Sequence, residues 1–586
     1  MRYLALATDY DGTLALNGRV DARTVLALEQ LRESGRKLIL VTGRELDELS
    51  EIFPSMHLFD WVVAENGALL YQPSTRAEKP LATPPPPAFV EELKRRGVER
   101  ISCGRVIVAT WEPHESTVLA VIRDMALELE IIFNKGAVMI LPTGVNKATG
   151  LVAALDQLGL SPHNVVGVGD AENDHAFLSI CECSVAVANA LDVLKKRADV
   201  VTRADHGAGI VEIADQLLQD DLHALTYDRL PRHLVLLGKS PEGAEVRLQP
   251  HGSNVLVAGG SRSGKSTAVT GFFERLMEGG RQLVVVDPEG DFEALEGALV
   301  VGSTQHAPTV AEVLDLVAEL RHNVVVNLVG LPLDDRPAFF LALLPRLQEL
   351  RTRTGRPHWI AVDEAHHVLP VLWEPASLAL PAKLAGMVFI TVHPGELAPA
   401  ALQSVDTILA AGQDPGATIA EWLRAIGEPV PQTPPTQLEH GDVLLYSRRE
   451  GGAPARVTPI PGRTVRRRHL RKYAEGDLGA ESFYFKGPEN KLNLQAQNLV
   501  LFMQIANGVD DETWLYHLRR GEYSRWFRDM IKDSALAGEA EQIEADRDLT
   551  PAGSRAAIRD AIQRHYTLPA ATPASAVAHV LPQQAK

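Results

Sequence analysis

At 586 residues, 45% apolar and 23% charged, the chain has the make-up of ordinary globular protein and is too long for one core, so three or four domains are expected. Its net charge of −17 excludes a whole-surface attraction to nucleic acid, though it leaves room for a local basic path. Three cysteines, Cys103, Cys181 and Cys183, form no CxxC pair, no charged-then-apolar leader precedes Leu4, and no membrane-length apolar run occurs; a soluble, cytoplasmic chain in a reducing compartment is the expectation.

From Tyr3 to about residue 212, apolar strands alternate with amphipathic helices. The stretch "LALATDYDGT" opens the series, and "KLILVTG", "WVVAENG" and "NVVGVGD" read as buried strands that stop at glycine or a polar residue. Between the first two, "DARTVLALEQLRESG" predicts a helix capped by Asp21, ended by Gly35, with Val25, Leu28 and Leu31 on one face. Strand–helix–strand order implies a parallel sheet covered on both faces, with polar residues at the strand ends sharing one crevice. "TPPPPAF" (Thr83–Phe89) breaks the rhythm, and an inserted cap of helix, two strands, helix, two strands is expected over about 82–143. The fold class is α/β with two doubly wound parallel sheets. The expected domains are 1–215, 230–462, a helical module over 463–570 and a disordered tail at 571–586.

Why would a strand end by presenting two aspartates? Residues two apart on a strand face one side, so Asp9 and Asp11 can both overhang the crevice, and a divalent cation such as Mg²⁺ would relieve their repulsion. "LVTGR" adds the Thr42 hydroxyl, "TGVNKATG" adds Lys147, and "GDAEND" adds Asp170 and Asp174. These are the parts needed to transfer a phosphoryl group. The DxDGT, TGR, K and GDxxND series resembles the haloacid dehalogenase phosphatases, closest to their Cof-type, sucrose-phosphatase-like branch. The resemblance implies Asp9 as nucleophile, Asp11 as general acid and then base, and Thr42 and Lys147 on the phosphate. Mg²⁺ would sit on Asp9, the Asp11 carbonyl and Asp170, with Asp174 supporting. Gly43, Arg44, Asn66 and Asn173 would lie near the substrate. A small cap would suit a sugar phosphate, phosphoglycolate or a nucleic-acid end.

A second constellation begins at "SNVLVAGGSRSGKST". The pattern GxxxxGK[ST] runs from Gly259 through Gly260, Ser261, Arg262 and Ser263 to Gly264, Lys265 and Ser266, followed by Thr267. Its glycines let backbone amides wrap phosphates, Lys265 reaches the β/γ oxygens and the Ser266 hydroxyl ligates Mg²⁺ of bound ATP. "WIAVDEAHH" supplies Asp363 to hold that metal and Glu364 to polarise the attacking water. "QLVVVDPEGDF" places Asp287 and Glu289 near the same edge, and "MVFITVHP" brings His393 to a strand end as a γ-phosphate sensor. His366 and His367 read as capping or lining the helix after the acidic pair rather than binding metal. Over about 230–462 the series resembles the HerA/FtsK class of ring-forming motor ATPases, which implies a homo-oligomer such as a hexameric ring and an arginine from a neighbouring subunit; Arg336, Arg351 and Arg353 are the candidates.

Arg463, Arg466, Arg467, Arg468, Arg471 and Lys472 form the densest basic run, a solvated linker or a phosphate-backbone track. Beyond it, Trp514, Tyr516 and Trp526 read as the aromatic core of short helices. The whole predicts an Mg²⁺-dependent phosphomonoesterase whose ATP-binding domain regulates or assembles it. A nucleic-acid motor with an end-processing phosphatase and a nucleotide-gated assembly platform are the alternatives.

Overall fold

Continuous apolar runs build the first sheet. The computed structural model describes residues 1–134, 136–226, 230–260, 263, 265–320, 322–370, 385–431, 438–439, 441–464, 482–531 and 533–565. The chain forms two units, the first comprising Met1–Val235 with Ala318–Arg321 and Leu347–His358. Its strands are β1 (Ala5–Thr8), β2 (Lys37–Val41), β3 (Trp61–Ala64), β4 (Leu69–Gln72), β5 (Ala77–Pro80), β6 (Ser102–Cys103), β7 (Val108–Trp111), β8 (Leu129–Asn134), β9 (Ala137–Pro142), β10 (Val165–Gly169), β11 (Cys183–Ala186) and β12 (Val200–Val201).

Eight of these make one sheet in the order β12-β11-β10-β1-β2-β3-β4-β5. The six strands from β12 to β3 are parallel, and β4 and β5 turn back antiparallel. This is a Rossmann-like α/β fold. Ala5 pairs with Val165 on one side and Lys37 on the other, so β1 is central and every residue in it is buried. The helix Ala22–Glu33 starts at Asp21, whose carboxylate accepts from the Arg23 and Thr24 amides. Thr24, Ala27, Leu28 and Leu31 form its buried face, while Val25, expected there, is only partly buried.

Between β5 and β10 the strands form a separate antiparallel sheet, β6-β7-β9-β8, carrying the helices Pro87–Arg95 and Glu115–Asp124. It has its own core of Phe89, Leu93, Val118, Val121, Val138 and Ile140. The helix-strand-strand order repeats as the sequence suggested.

The second unit comprises Leu236–Val317, His322–Arg346 and Trp359–Lys586. Its strands are β13 (Val235–Lys239), β14 (Glu245–Leu248), β15 (Asn254–Gly259), β16 (Leu283–Asp287), β17 (Ala298–Val301), β18 (Asn323–Asn327), β19 (Trp359–Val362), β20 (Met387–Thr391), β21 (Thr407–Ala411), β22 (Val443–Ser447), β23 (Ala455–Pro459), β24 (Phe483–Phe485) and β25 (Leu494–Ala496). The first eleven form one mixed sheet, β14-β13-β23-β22-β21-β15-β20-β19-β16-β18-β17, parallel from β21 to β17.

The C-terminal part is not purely helical, as the sequence had suggested: β24 and β25 form an antiparallel hairpin ahead of the helices. Alternating aromatic residues in "FYF" bury Phe483 and Phe485 against Phe502, Trp514 and Tyr523. Trp514 stacks on Tyr523 at 4.5 Å and donates to Ser554 Oγ. Trp514 and Trp526 are core, whereas Tyr516 is half-buried beneath the Arg520 guanidinium. Residues 466–472 of the basic run and the tail 571–586 lie outside the described residues. No described helix is long and apolar enough to cross a membrane.

Candidate active site

The C-terminal ends of β1 and β10 deliver the carboxylates. β1 stops at Thr8, and Asp9 follows it with its amide on the Val168 carbonyl, which fixes it beside β10. β10 stops at Gly169, and the next turn is held by Asp174, whose Oδ2 accepts from the Asp170 and Ala171 amides at 2.8 and 2.9 Å. Lys147 is the first residue of the helix Lys147–Leu158, set by the Asn146 cap. Its ammonium donates to Asp9 Oδ1 at 2.5 Å and to Asp174 Oδ1 at 2.6 Å. Thr13 Oγ1 donates to Asp170 Oδ1 at 3.0 Å.

One lysine therefore faces three buried carboxylates, and the cluster carries an excess of negative charge in a dry setting. Burial and the Asp174 carboxylate push Asp9 above the usual carboxylate range, against the pull of Lys147. Burial pulls Lys147 down, but Asp174 and Asp9 outweigh it and hold the ammonium charged. Oxygen atoms of Asp9, Asp170 and Asp174 lie within 4.8 Å of one another. Such a donor set, all hard oxygens and short of positive charge, fits Mg²⁺.

Asp11 lies beyond the end of β1, where the chain turns and bridges to Ala15. Its carboxylate is held by the Arg44 fork, Nε to Oδ2 at 2.5 Å and Nη2 to Oδ1 at 2.8 Å, and Arg44 also pairs with Glu48. Asp11 is a third exposed, whereas Asp9 is buried.

The loops after β2, β3 and β10 meet beside this cluster. Thr42 is buried and its hydroxyl accepts from the Arg44 amide. A Cβ on Gly43 would lie 3.6 Å from Met139 Sδ of β9 and 3.8 Å from Asn173 Nδ2. Asn173 Nδ2 donates to Asn66 Oδ1 at 3.1 Å, and the Asn66 amide donates to the Thr42 carbonyl.

Three participants escaped sequence reasoning. Thr13 was inside the quoted DGT block but had no visible partner. Asn189 donates to the Gly12 carbonyl. Glu65, fully buried, accepts from the backbone amides of Arg105, Val106 and Ile107 in the antiparallel layer.

Residues 6–104 and 122–213 match the family model of haloacid dehalogenase-like hydrolases. A phosphoglycolate phosphatase 2 from Saccharolobus solfataricus is 31% identical over 224 residues, covering 37% of this chain and 92% of that protein. The chain belongs to the haloacid dehalogenase-like hydrolases. A phosphoglycolate phosphatase from Methanothermobacter thermautotrophicus is 31% identical over 218 residues, covering 36% of this chain and 96% of that protein. A solved haloacid dehalogenase-like hydrolase from Bacteroides thetaiotaomicron matches at 17% identity and TM-score 0.33, over 37% of this chain and 99% of that one. The residues matched by the family model lie within the first unit of the hydrolase.

The hydrolase's second unit carries Gly259, Lys265, Asp363, Glu364 and His393 on or beside the parallel strands of its sheet. Gly259 ends β15 with φ of +142°, and a Cβ there would lie 2.0 Å from the Ala411 carbonyl, so only glycine fits. Lys265 begins the helix Lys265–Glu278 and donates to the Gly259 and Gly260 carbonyls. Ser261, Arg262 and Gly264 lie outside the described residues, as does the side chain of Ser266; Ser263 is half-buried and Thr267 is exposed.

β20 runs between β15 and β19, with His393 beyond its C-terminal end, and Asp363 and Glu364, which follow β19, are buried. His366 Nδ1 lies 3.1 Å from Thr391 Oγ1. Burial, then His367, pushes His366 down to about 4; Glu289 opposes, while His393 and Lys265 add to the fall. The His366 ring lies 4.2 Å from that of His367, and its Nδ1 lies 3.5 Å from Glu364 Oε2. Asp287 does not project freely: its carboxylate accepts four amides, from Glu289, Gly290, Asp291 and Phe292, and serves its own turn. Of the three arginine candidates, Arg336 is fully buried and Arg351 donates to the Pro357 carbonyl, whereas Arg353 is exposed.

Proposed function

We propose that the first unit hydrolyses small phosphomonoesters through an aspartyl-phosphate on Asp9, with phosphoglycolate as the leading substrate. The buried contact of Lys147 with both Asp9 and Asp174 carries this reading. Lys147 occupies Oδ1 of Asp9 and leaves Oδ2 to attack phosphorus. The bond to the ester oxygen breaks as that of Asp9 to phosphorus forms, and the departing alkoxide takes a proton from Asp11. Asp11 then receives a proton from water, whose oxygen attacks the phosphorus and returns Asp9 as a carboxylate with release of phosphate.

Mg²⁺, held by Asp9, Asp170 and Asp174, would neutralise the phosphate oxygens when bound. Thr42 and Lys147 would donate to those oxygens. Arg44 presents a planar fork matched to carboxylate or phosphate, so an anionic substrate would draw it from Asp11 and free the acid. Gly43, Asn66 and Asn173 would line the pocket under the antiparallel layer, which serves as the cap. The names of the relatives support phosphoglycolate.

The second unit, taken as residues 230–462, would bind Mg²⁺·ATP on the Gly259–Thr267 loop, with Lys265, Ser266, Asp363, Glu364 and His393 in the roles given above, and would regulate or assemble the phosphatase as a homo-oligomer. The strand order that seats β20 between the loop strand and the acidic strand supports this.

The test is hydrolysis of phosphoglycolate, a hexose phosphate and a 5′-phosphorylated oligonucleotide, with and without ATP. Asp9→Asn should cut turnover by about a thousand-fold or more and spare ATP binding. Full turnover in Asp9→Asn would overturn the assignment. ATP hydrolysis stimulated by DNA would favour the motor alternative.

A further inference from the structure

The opposite ends of the same strands carry a second cluster. Asp170 follows the C-terminal end of β10, but His163 precedes its N-terminal end, in the turn Pro162–Asn164, and Glu182 immediately precedes β11. A five-residue strand separates the two ends by about 15 Å, so this cluster is separate from the catalytic carboxylates. His163 Nδ1 lies 2.6 Å from Glu182 Oε2, and His233 Nδ1 lies 3.5 Å from the same oxygen. One donor atom from each of the three residues falls within 4.8 Å of the other two. All three side chains are largely buried.

The arrangement suits a borderline cation better than a hard one. Two imidazoles and one carboxylate are the donors zinc takes, and zinc bonds of about 2.0–2.2 Å set donor separations on the order of 3.3 Å. The 2.6 and 3.5 Å contacts bracket that value. The two imidazole rings lie edge to face, centroids 5.8 Å apart, and each turns its Nδ1 to the same Glu182 oxygen. Glu182 is already oriented: its other oxygen, Oε1, accepts from Arg2 Nη2 at 2.7 Å, the outer hydrogen bond that ligating carboxylates commonly have. A further imidazole of the same unit, His358, has its ring centroid 5.4 Å from that of His163.

We propose that His163, Glu182 and His233 hold a structural Zn²⁺ ion, with His358 or water as the fourth ligand. The ion would tie the segment carrying His233 to the N-terminal edge of β10 and β11. It would take no part in phosphoryl transfer.

The test uses the full chain, stripped with chelator, desalted and titrated with Zn²⁺ alone. One equivalent should bind and raise the melting temperature, and Co²⁺ in its place should give the visible bands of a four-coordinate site. Asp170→Asn, which alters the catalytic cluster, should retain that equivalent. His163→Gln and His233→Gln should each lose it while keeping Mg²⁺-dependent phosphatase activity, which shows that they fold. Retention of zinc by the His163→Gln/His233→Gln double variant, or no binding by the parent chain, would overturn the proposal. The second outcome would leave a hydrogen-bonded His–Glu–His network in which a proton does the work of the metal.

Discussion

Lys147 is as buried as a core leucine, and two carboxylates compensate its charge. Removing one partner of such a group leaves the others uncompensated in a dry site, at a cost of about 3–5 kcal/mol. Lys147→Met should therefore lower unfolding free energy by about that amount in a denaturant melt, besides abolishing phosphatase activity. His366 offers a pH-dependent counterpart in the second unit. Burial first, and the neighbouring His367 after it, hold it near 4 rather than its ordinary 6.5. Between those values the unfolded chain binds a proton that the folded chain does not, so the stability it contributes is complete above about 6.5 and drains as pH falls towards 4. His366→Gln should flatten the acid limb of melting temperature against pH.

Among elements, the approach of the helix Lys147–Leu158 to the turn after β3 sets the site. Gly67 has φ of +106°, and a Cβ there would fall 1.9 Å from the Asn146 carbonyl. Gly67→Ala should cost about 1–3 kcal/mol for the backbone alone and shift Lys147 from Asp9, lowering turnover more than substrate affinity. Glu65 acts between the main sheet and the antiparallel layer: Glu65→Ala would leave the amides of residues 105–107 without their acceptor, and hydrogen exchange there should accelerate first. How legible was all this in the sequence? The buried strands were, because parallel strands covered on both faces read as unbroken apolar runs such as "KLILV" and "VVGVG". Asp9, Lys147, Asp170 and Asp174 stood out because each ends a strand or begins a helix in a recognisable block. The Asp11–Arg44 pair did not, since it depends on where β1 stops, a matter of one or two residues. Glu65 carries no periodic signal at all: its partners are backbone amides some 40 positions away. Asp287 stands at the strand end the sequence implied, but that its carboxylate caps its own turn was not legible, since a turn-capping aspartate and a ligand-facing one look alike there. The hairpin of β24 and β25 was missed because three-residue strands are too short to show alternation.

At the scale of the whole molecule, two separately built constellations sit in two separately built sheets. Lys265→Ala should abolish ATP binding, measured by calorimetry, and leave phosphoglycolate hydrolysis in the absence of ATP unchanged. An equal loss of both would place one chemistry in both units. The order in which the chain can assemble follows from the way β1 pairs. β1 gains β2 early, across a short connection, but Ala5 must wait for Val165, and Thr13 reaches Asp170 across 157 positions. Non-local pairing of this kind is slow, because chain closure must precede the contacts that reward it. During refolding, helical signal should therefore return well before catalytic turnover, and a nascent chain stalled before β10 would hold Asp9 without Asp170 and Asp174.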